Sequence, residues 1–255
     1  MPTPVPFDLP TNALAGKVVV ITGASRGLGK GMAARFATHG AALGLCARTE
    51  PVPPEGCTAV CARVDVTDEV AMESFAHAVS STLGPIDLWI NNAGVLGPVG
   101  PQRDQSSKET AWALLVNIGG VATGTRVFTE RARTWEPALR VLVNISSGAG
   151  RSSYEGWSVY GATKAAVDRL TQVVALEEPD VLCHAVAPGV VETEMQVQVR
   201  ELDDADFPAV DRFRDIHQRG SANSPAWVAD HLAGILIGSL MPDEVLYRVP
   251  DEHPA

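Results

Sequence analysis

What this sequence is short of narrows its function before any motif is considered. Basic residues are outnumbered, with 20 Lys and Arg against 30 Asp and Glu, for a formal net charge of −10. A phosphate backbone or an anionic membrane would be repelled by that field, so neither nucleic acid nor a membrane surface is an expected partner. The charge reads instead as a solvated surface that aids solubility. Only four cysteines occur, Cys46, Cys57, Cys61 and Cys183, and the six histidines are scattered. No zinc-ligand pairing results; Cys57 and Cys61 fall in a segment that reads as loop then strand. Free thiols, no metal and a reducing compartment are expected. Long apolar runs are also missing. Met1 to Pro10 is broken by prolines and has no basic lead, so it reads as neither signal peptide nor membrane span, and a cytoplasmic location is expected. Asn144-Ile145-Ser146 matches a glycosylation pattern but closes an apolar run expected to be buried.

What is present is a chain of 255 residues with a 45% hydrophobic fraction, enough for a sizeable core in one domain spanning 1–255. Apolar, β-branched runs alternate with helical stretches. Val18–Ile21 reads as a strand buried on both faces, followed by Leu43–Cys46, Val60–Val64, Ile86–Ile90, Val141–Ile145 and Val181–Val186, with Val245–Val249 as a last edge strand. In the clearest helix Met72, Phe75, Ala76, Val79 and Leu83 share one face, with Thr67 placed to cap it and Asp68 and Glu69 in the first turn. The alternation predicts a doubly wound, mostly parallel seven-stranded sheet of the Rossmann type, covered by helices on both sides. Residues 1–15 read as a tail. Residues 195–223 are rich in charge and carry Phe207, Val210, Phe213 and Ile216; in similar proteins this stretch forms a mobile flap over the substrate, and the same is expected here.

In such sheets ligands bind beyond the carboxyl ends of the strands, and the chemically suggestive residues lie there. After the first strand comes Thr22-Gly23-Ala24-Ser25-Arg26-Gly27-Leu28-Gly29, then a helix through His39. Gly23, Gly27 and Gly29 let backbone amides approach a pyrophosphate at the positive end of that helix, with Ser25, Arg26 and Leu28 beside it. The second strand ends Cys46-Ala47-Arg48. An acidic residue that would hold a free ribose hydroxyl is missing at this point. Ala47 leaves room, and Arg48 and Arg26 are two cations suited to a 2′-phosphate, so NADP is expected over NAD. Asp65 and Val66 end the third strand, placed for the adenine. Asn91, Ala93 and Gly94, in Asn91-Asn92-Ala93-Gly94, follow the fourth.

The fifth strand runs into Ser146-Ser147-Gly148. Tyr160 stands 13 residues past Ser147, and Lys164 four residues further, one helical turn on. A phenol with an unperturbed pKa of about 10 is a usable acid, and a nearby ammonium is expected to lower that value toward working pH. Ser147 is placed to hydrogen-bond a substrate oxygen and hold it against Tyr160.

These segments together resemble the short-chain dehydrogenase/reductase family over nearly the whole chain. Thr22–Gly29 is similar to its T-G-x-x-x-G-x-G loop and Asn91–Gly94 to its N-N-A-G motif. Asn117, in an expected helix Ala111–Ile118, corresponds to the asparagine of an Asn-Ser-Tyr-Lys tetrad. Pro188-Gly189 with Thr193 matches a P-G-x-x-x-T segment, which brings Val191 and Met195 to the nicotinamide. The resemblance implies that Tyr160 protonates the oxygen of a ketone receiving hydride from NADPH. It implies that Lys164 binds the nicotinamide ribose and that Asn117 holds a water relaying protons to Lys164. It implies a homodimer or homotetramer built through the Ala111–Ile118 and Ser158–Glu177 helices. Gly156-Trp157-Ser158-Val159-Tyr160, Ala175-Leu176-Glu177-Glu178-Pro179 and Ala187–Gln196 are similar to the sepiapterin reductase subgroup, whose relatives reduce benzil-type 1,2-diketones. That likeness implies a ketone substrate touching Ser147, Gly148, Tyr160 and Gly189, with Asp251 at the position of a pterin anchor. Tyr247-Arg248-Val249-Pro250 departs from the subgroup there, which leaves a frayed acidic tail, Asp251–His253, as the competing reading. Oxidation of a secondary alcohol by the same tetrad is an alternative. A non-catalytic cofactor-binding regulator is a further one, set against by the complete tetrad.

Overall fold

The apolar runs become seven strands of one sheet in the computed structural model, which describes residues 7, 9–136 and 138–253; the rest of the expected tail, residues 1–6 and 8, lies outside them. The strands are β1 (Val18–Thr22), β2 (Ala42–Ala47), β3 (Ala59–Arg63), β4 (Leu88–Asn91), β5 (Arg140–Ile145), β6 (Val181–Ala187) and β7 (Leu246–Arg248). All neighbours pair in parallel in the order β3-β2-β1-β4-β5-β6-β7. β1, β4 and β5 are buried along their whole length, which is why their sequences carry no polar alternation. The strand order reverses between β1 and β4, and that switch point opens a crevice at their carboxyl ends.

The helices are α1 (Gly27–Thr38), α2 (Glu69–Leu83), α3 (Ser107–Leu114), α4 (Gly120–Ala132), α5 (Ser158–Glu177), α6 (Glu194–Arg200), α7 (Val210–Gln218) and α8 (Pro225–Ile237). On one face of the sheet Met32 and Phe36 of α1 meet Leu232 and Ile235 of α8 over Val19 and Ile21. On the other, Met72 and Phe75 of α2 and Phe128 of α4 pack on Val20 and Trp89. Burying this apolar surface supplies the main driving force for folding.

Two expectations are corrected. Asp68, not Thr67, caps α2: its carboxylate accepts from the Ala71 amide at 3.0 Å, while the Thr67 hydroxyl donates to Asp65 at 2.8 Å. The Asp65 carboxylate captures the threonine before it can reach the helix. The expected helix Ala111–Ile118 is instead the junction of α3 and α4 through a π-helical turn, Leu115–Gly119. The extra residue in that turn changes the angle at which its side chains leave the helix, and Asn117 is fully buried.

Candidate active site

A cavity of about 1030 Å³ runs along the carboxyl ends of the strands. At its head lies the loop between β1 and α1. Gly23 has φ +68°, and a Cβ there would stand 2.8 Å from the Ala93 Cα. A Cβ at Gly29 would stand 2.5 Å from the Gly23 carbonyl, so the loop closes this tightly only with glycine. α1 begins at Gly27 with no side-chain cap and no acidic residue in its first turn. Its free amides therefore face the cavity at the positive end of the helix, where a diphosphate would accept from them, with the Glu194 carboxylate 3.2 Å from where a Cβ at Gly27 would stand. Ser25, Arg26 and Leu28 line the same stretch.

Beside it lie Ala47, Arg48, Asp65 and Val66. Ala47 and Val66 are buried, whereas Arg26 and Arg48 are exposed and carry no ion pair among the described residues. One oxygen of Asp65 is taken by the Thr67 amide and hydroxyl, at 3.0 and 2.8 Å. These residues and the glycine loop make a shape and charge pattern suited to a dinucleotide.

Asn91 does not join them. Its side chain turns into the core, accepting from Trp89 Nε1 at 2.8 Å and donating to Asn144 Oδ1 at 2.8 Å, so it ties β4 to β5 rather than touching a ligand. The reason is strand alternation: the neighbouring Asn92 points the other way, donating to the Thr22 carbonyl at 2.9 Å, and lines the cavity with Ala93 and Gly94.

Ser147 leaves the end of β5, and Tyr160 and Lys164 project from the first turns of α5; all three line the cavity. Lys164 donates to the Ile145 carbonyl at 2.9 Å and lies 5.7 Å from the centre of the Tyr160 ring. Asn117 stands behind them and outside the lining. Its amide donates to the Val95 carbonyl at 2.8 Å and to Thr163 at 3.2 Å, and its carbonyl accepts from the Val95 amide at 2.8 Å. Ser147, Tyr160 and Lys164 are therefore brought together, while Asn117 is committed to the β4–α3 connection.

The electrostatics differ from the expectation. Burial pushes the Tyr160 phenol up, opposed by the Ser147 hydroxyl beside it, and Lys164 does not bring it down. Lys164 is itself pushed down to about 8 by burial, with Asp168 opposing. Both groups sit in the same poorly hydrated pocket, where losing solvation disfavours the charged form of each.

Toward the other end, Gly148, Pro188, Gly189, Val191, Thr193 and Met195 line the cavity, and Asp251 reaches it paired to Arg248 at 3.0 Å. The chain around Asp251 is not frayed. Glu252 is buried and accepts from the Ser224 amide at 2.6 Å. Asn223 donates to the Pro188 carbonyl at 2.9 Å and the Pro250 carbonyl at 3.2 Å, and accepts from the Glu252 amide at 2.7 Å. One side chain thus clamps the C-terminal segment to the Pro188-Gly189 turn.

The sequence reading also missed an aromatic wall. Trp157, just before α5, contacts the Tyr160 ring edge-on at 5.4 Å between centroids and stacks on Phe207 at 4.4 Å. Tyr154 and Phe213 complete it, at 5.3 and 5.4 Å from Trp157. Residues 195–223 are thus packed beside the cavity, Phe213 lining it and Phe207 buried behind Trp157. The signal was the Trp157–Tyr160 spacing, one helical turn, which puts both rings on one side.

Comparison with known proteins agrees with this geometry. The family described as short chain dehydrogenase matches residues 17–204. A benzil reductase ((S)-benzoin forming) of Bacillus cereus is 32% identical over 250 residues, covering 92% of this chain and 100% of that protein. A sepiapterin reductase of Rattus norvegicus is 36% identical over 207 residues, covering 72% and 78%. Among solved structures, a short chain dehydrogenase/reductase from Burkholderia phymatum in complex with NAD superposes with a TM-score of 0.75 at 27% identity, covering 92% of this chain and 89% of that one. By its sheet order, its family match and these relatives, the chain belongs to the short-chain dehydrogenase/reductase family of oxidoreductases.

Proposed function

We propose that this oxidoreductase is an NADPH-dependent carbonyl reductase whose substrate is a ketone beside a second carbonyl. The observation that carries the reading is the meeting of Ser147, Tyr160 and Lys164 in the cavity that begins at the glycine loop. When bound there, NADPH supplies the hydride. Gly23, Ser25, Gly27, Leu28 and Gly29 would hold its diphosphate. Asp65, Val66, Ala93 and Gly94 would frame the adenosine and the adjoining chain. Arg26 and Arg48, free of carboxylate partners among the described residues, would take the 2′-phosphate. Pro188, Gly189, Val191, Thr193 and Met195 would border the nicotinamide.

Tyr160 stays a neutral phenol through neutral pH, because burial holds its pKa up. It can therefore donate its proton as charge develops on the carbonyl oxygen. The Ser147 hydroxyl shares that oxygen and orients it. Lys164, charged below about 8, can replace the proton on Tyr160 and would hold the nicotinamide ribose. Asn117, locked to Val95, sets the floor on which the relay rests. Gly148 and Gly189 leave room for the substrate, and residues 195–223 cover it.

A second carbonyl is supported by the benzil and sepiapterin reductase relatives. The exposed apolar side chains Trp112 and Leu115 near α3, and Leu176 on α5, support assembly into a homo-oligomer through these helices.

The test is NADPH oxidation, followed at fixed enzyme across benzil, sepiapterin, a simple aliphatic diketone and a matched monoketone. Diketones should be reduced at least about tenfold more efficiently than the monoketone, the weight of one added hydrogen bond. Equal efficiency would overturn the substrate class, and activity with NADH alone would overturn the cofactor.

A further inference from the structure

α7 carries two arginines and a third, Arg219, follows its last residue; two of the three have a carboxylate from this helix. Arg214 pairs with Asp211 and Arg219 with Asp215, each at 2.9 Å. Arg212 has no such partner among the described residues. Its guanidinium donates instead to the Tyr154 hydroxyl at 3.0 Å and lies 6.0 Å from the centre of that ring. Arg212 and Tyr154 both line the cavity. Tyr154 adjoins Trp157, and Trp157 adjoins Tyr160, at 5.3 and 5.4 Å between ring centres. One wall of the cavity is therefore a continuous rail, beginning at the proposed acid, passing along two aromatic faces and ending in a cation without a counter-charge.

We infer that Arg212 is a specificity residue for an anionic group, so that the substrate is an aromatic or apolar ketone bearing a carboxylate at the end remote from the reacting carbonyl. The inference rests on the proposed carbonyl reduction and names its substrate class more closely. Three features carry it. The apolar rail accepts the body of such a molecule and leaves its ionised end at Arg212. Tyr154 orients the guanidinium, which lowers the entropy lost when a fork of donors meets a carboxylate. In a chain with net charge −10, Arg212 is a cation without a carboxylate partner among the described residues on this wall of the cavity, as Arg26 and Arg48 are at the glycine-loop end.

The experiment compares benzil with 4-carboxybenzil, a neutral and an anionic form of one diketone, as substrates of wild-type enzyme, Arg212→Met and Arg212→Lys. Binding is read separately by quenching of tryptophan fluorescence. Wild type should favour the carboxylated compound about tenfold in kcat/KM, the effect of one charge-assisted hydrogen bond at a partly hydrated site. Arg212→Met should erase that ratio in both turnover and binding, and Arg212→Lys should keep part of it, since it retains the charge but not the fork. Equal use of the two compounds by wild type, or an undiminished ratio in Arg212→Met, would overturn the inference while leaving the carbonyl reductase reading intact. Reduction of neither compound would overturn the substrate class itself and this inference with it.

Discussion

Lys164 holds its ammonium 5.7 Å from the centre of the Tyr160 ring while donating to the Ile145 carbonyl at 2.9 Å. The strand end thus fixes the lysine, and the lysine faces the phenol from below. With burial pushing Lys164 down to about 8, reduction should be fastest below that value. Reduction consumes a proton, so kcat for the reductive direction is expected to fall as pH rises through about 8, with oxidation of the product alcohol rising over the same range. Paired pH–rate profiles check this, and a reductive profile flat from pH 6 to 9 would count against Lys164 as the relay.

Tyr160→Phe removes the hydroxyl and keeps the ring that packs against Trp157. Turnover is expected to drop about 10²- to 10⁴-fold, the usual range for a lost general acid. NADPH binding, measured by fluorescence titration, should change little. A variant that still reduces a good diketone at a tenth of the wild-type rate would refute the role.

Arg48→Asp places a carboxylate where the chain has none. NADPH affinity should fall about 10- to 100-fold, the loss of a charge-assisted contact together with new repulsion, while NADH affinity holds or improves. Dissociation constants for both cofactors decide it, and equal losses would argue against a 2′-phosphate site at Arg48.

Asp87 accepts from the Val18 amide at 2.9 Å and pairs with the buried Arg140 at 3.0 Å. Asp87→Ala leaves that guanidinium buried without its charge partner, and a loss of about 3–5 kcal/mol is expected. Urea unfolding measures it; a loss under about 1 kcal/mol would mean that water replaces the carboxylate.

Asn223 is 2% exposed and makes its three side-chain hydrogen bonds across two loops. Asn223→Ala should cost about 2–3 kcal/mol, because the buried Pro188 carbonyl and Glu252 amide lose their partner while the Pro250 carbonyl keeps Trp227 Nε1. It should also raise KM for NADPH, since the Pro188-Gly189 turn loses its support. Thermal unfolding and steady-state kinetics together test the clamp. A stability loss with KM unchanged would confine Asn223 to a structural role.

Much of this protein was determined by the sequence alone, because it depends on local order. The strands announce themselves as β-branched runs, and the glycine loop is read from residues adjacent in the chain. The Tyr160–Lys164 pair follows from one helical turn. What depended on packing against distant residues was decided only by the tertiary structure. Asn91 and Asn92 look alike in the chain, yet strand alternation sends one into the core and the other to the cavity. Asn117 was legible as a residue but not its π-turn, which arises where α3 and α4 join. The phenol's pKa was misjudged because burial, a property of the whole fold, outweighs the charge of a neighbour four residues away. The aromatic rail to Arg212 and the Asn223 clamp join segments more than 50 and 25 residues apart, respectively. No local spacing encodes such contacts, because they exist only once the sheet has brought its strand ends together.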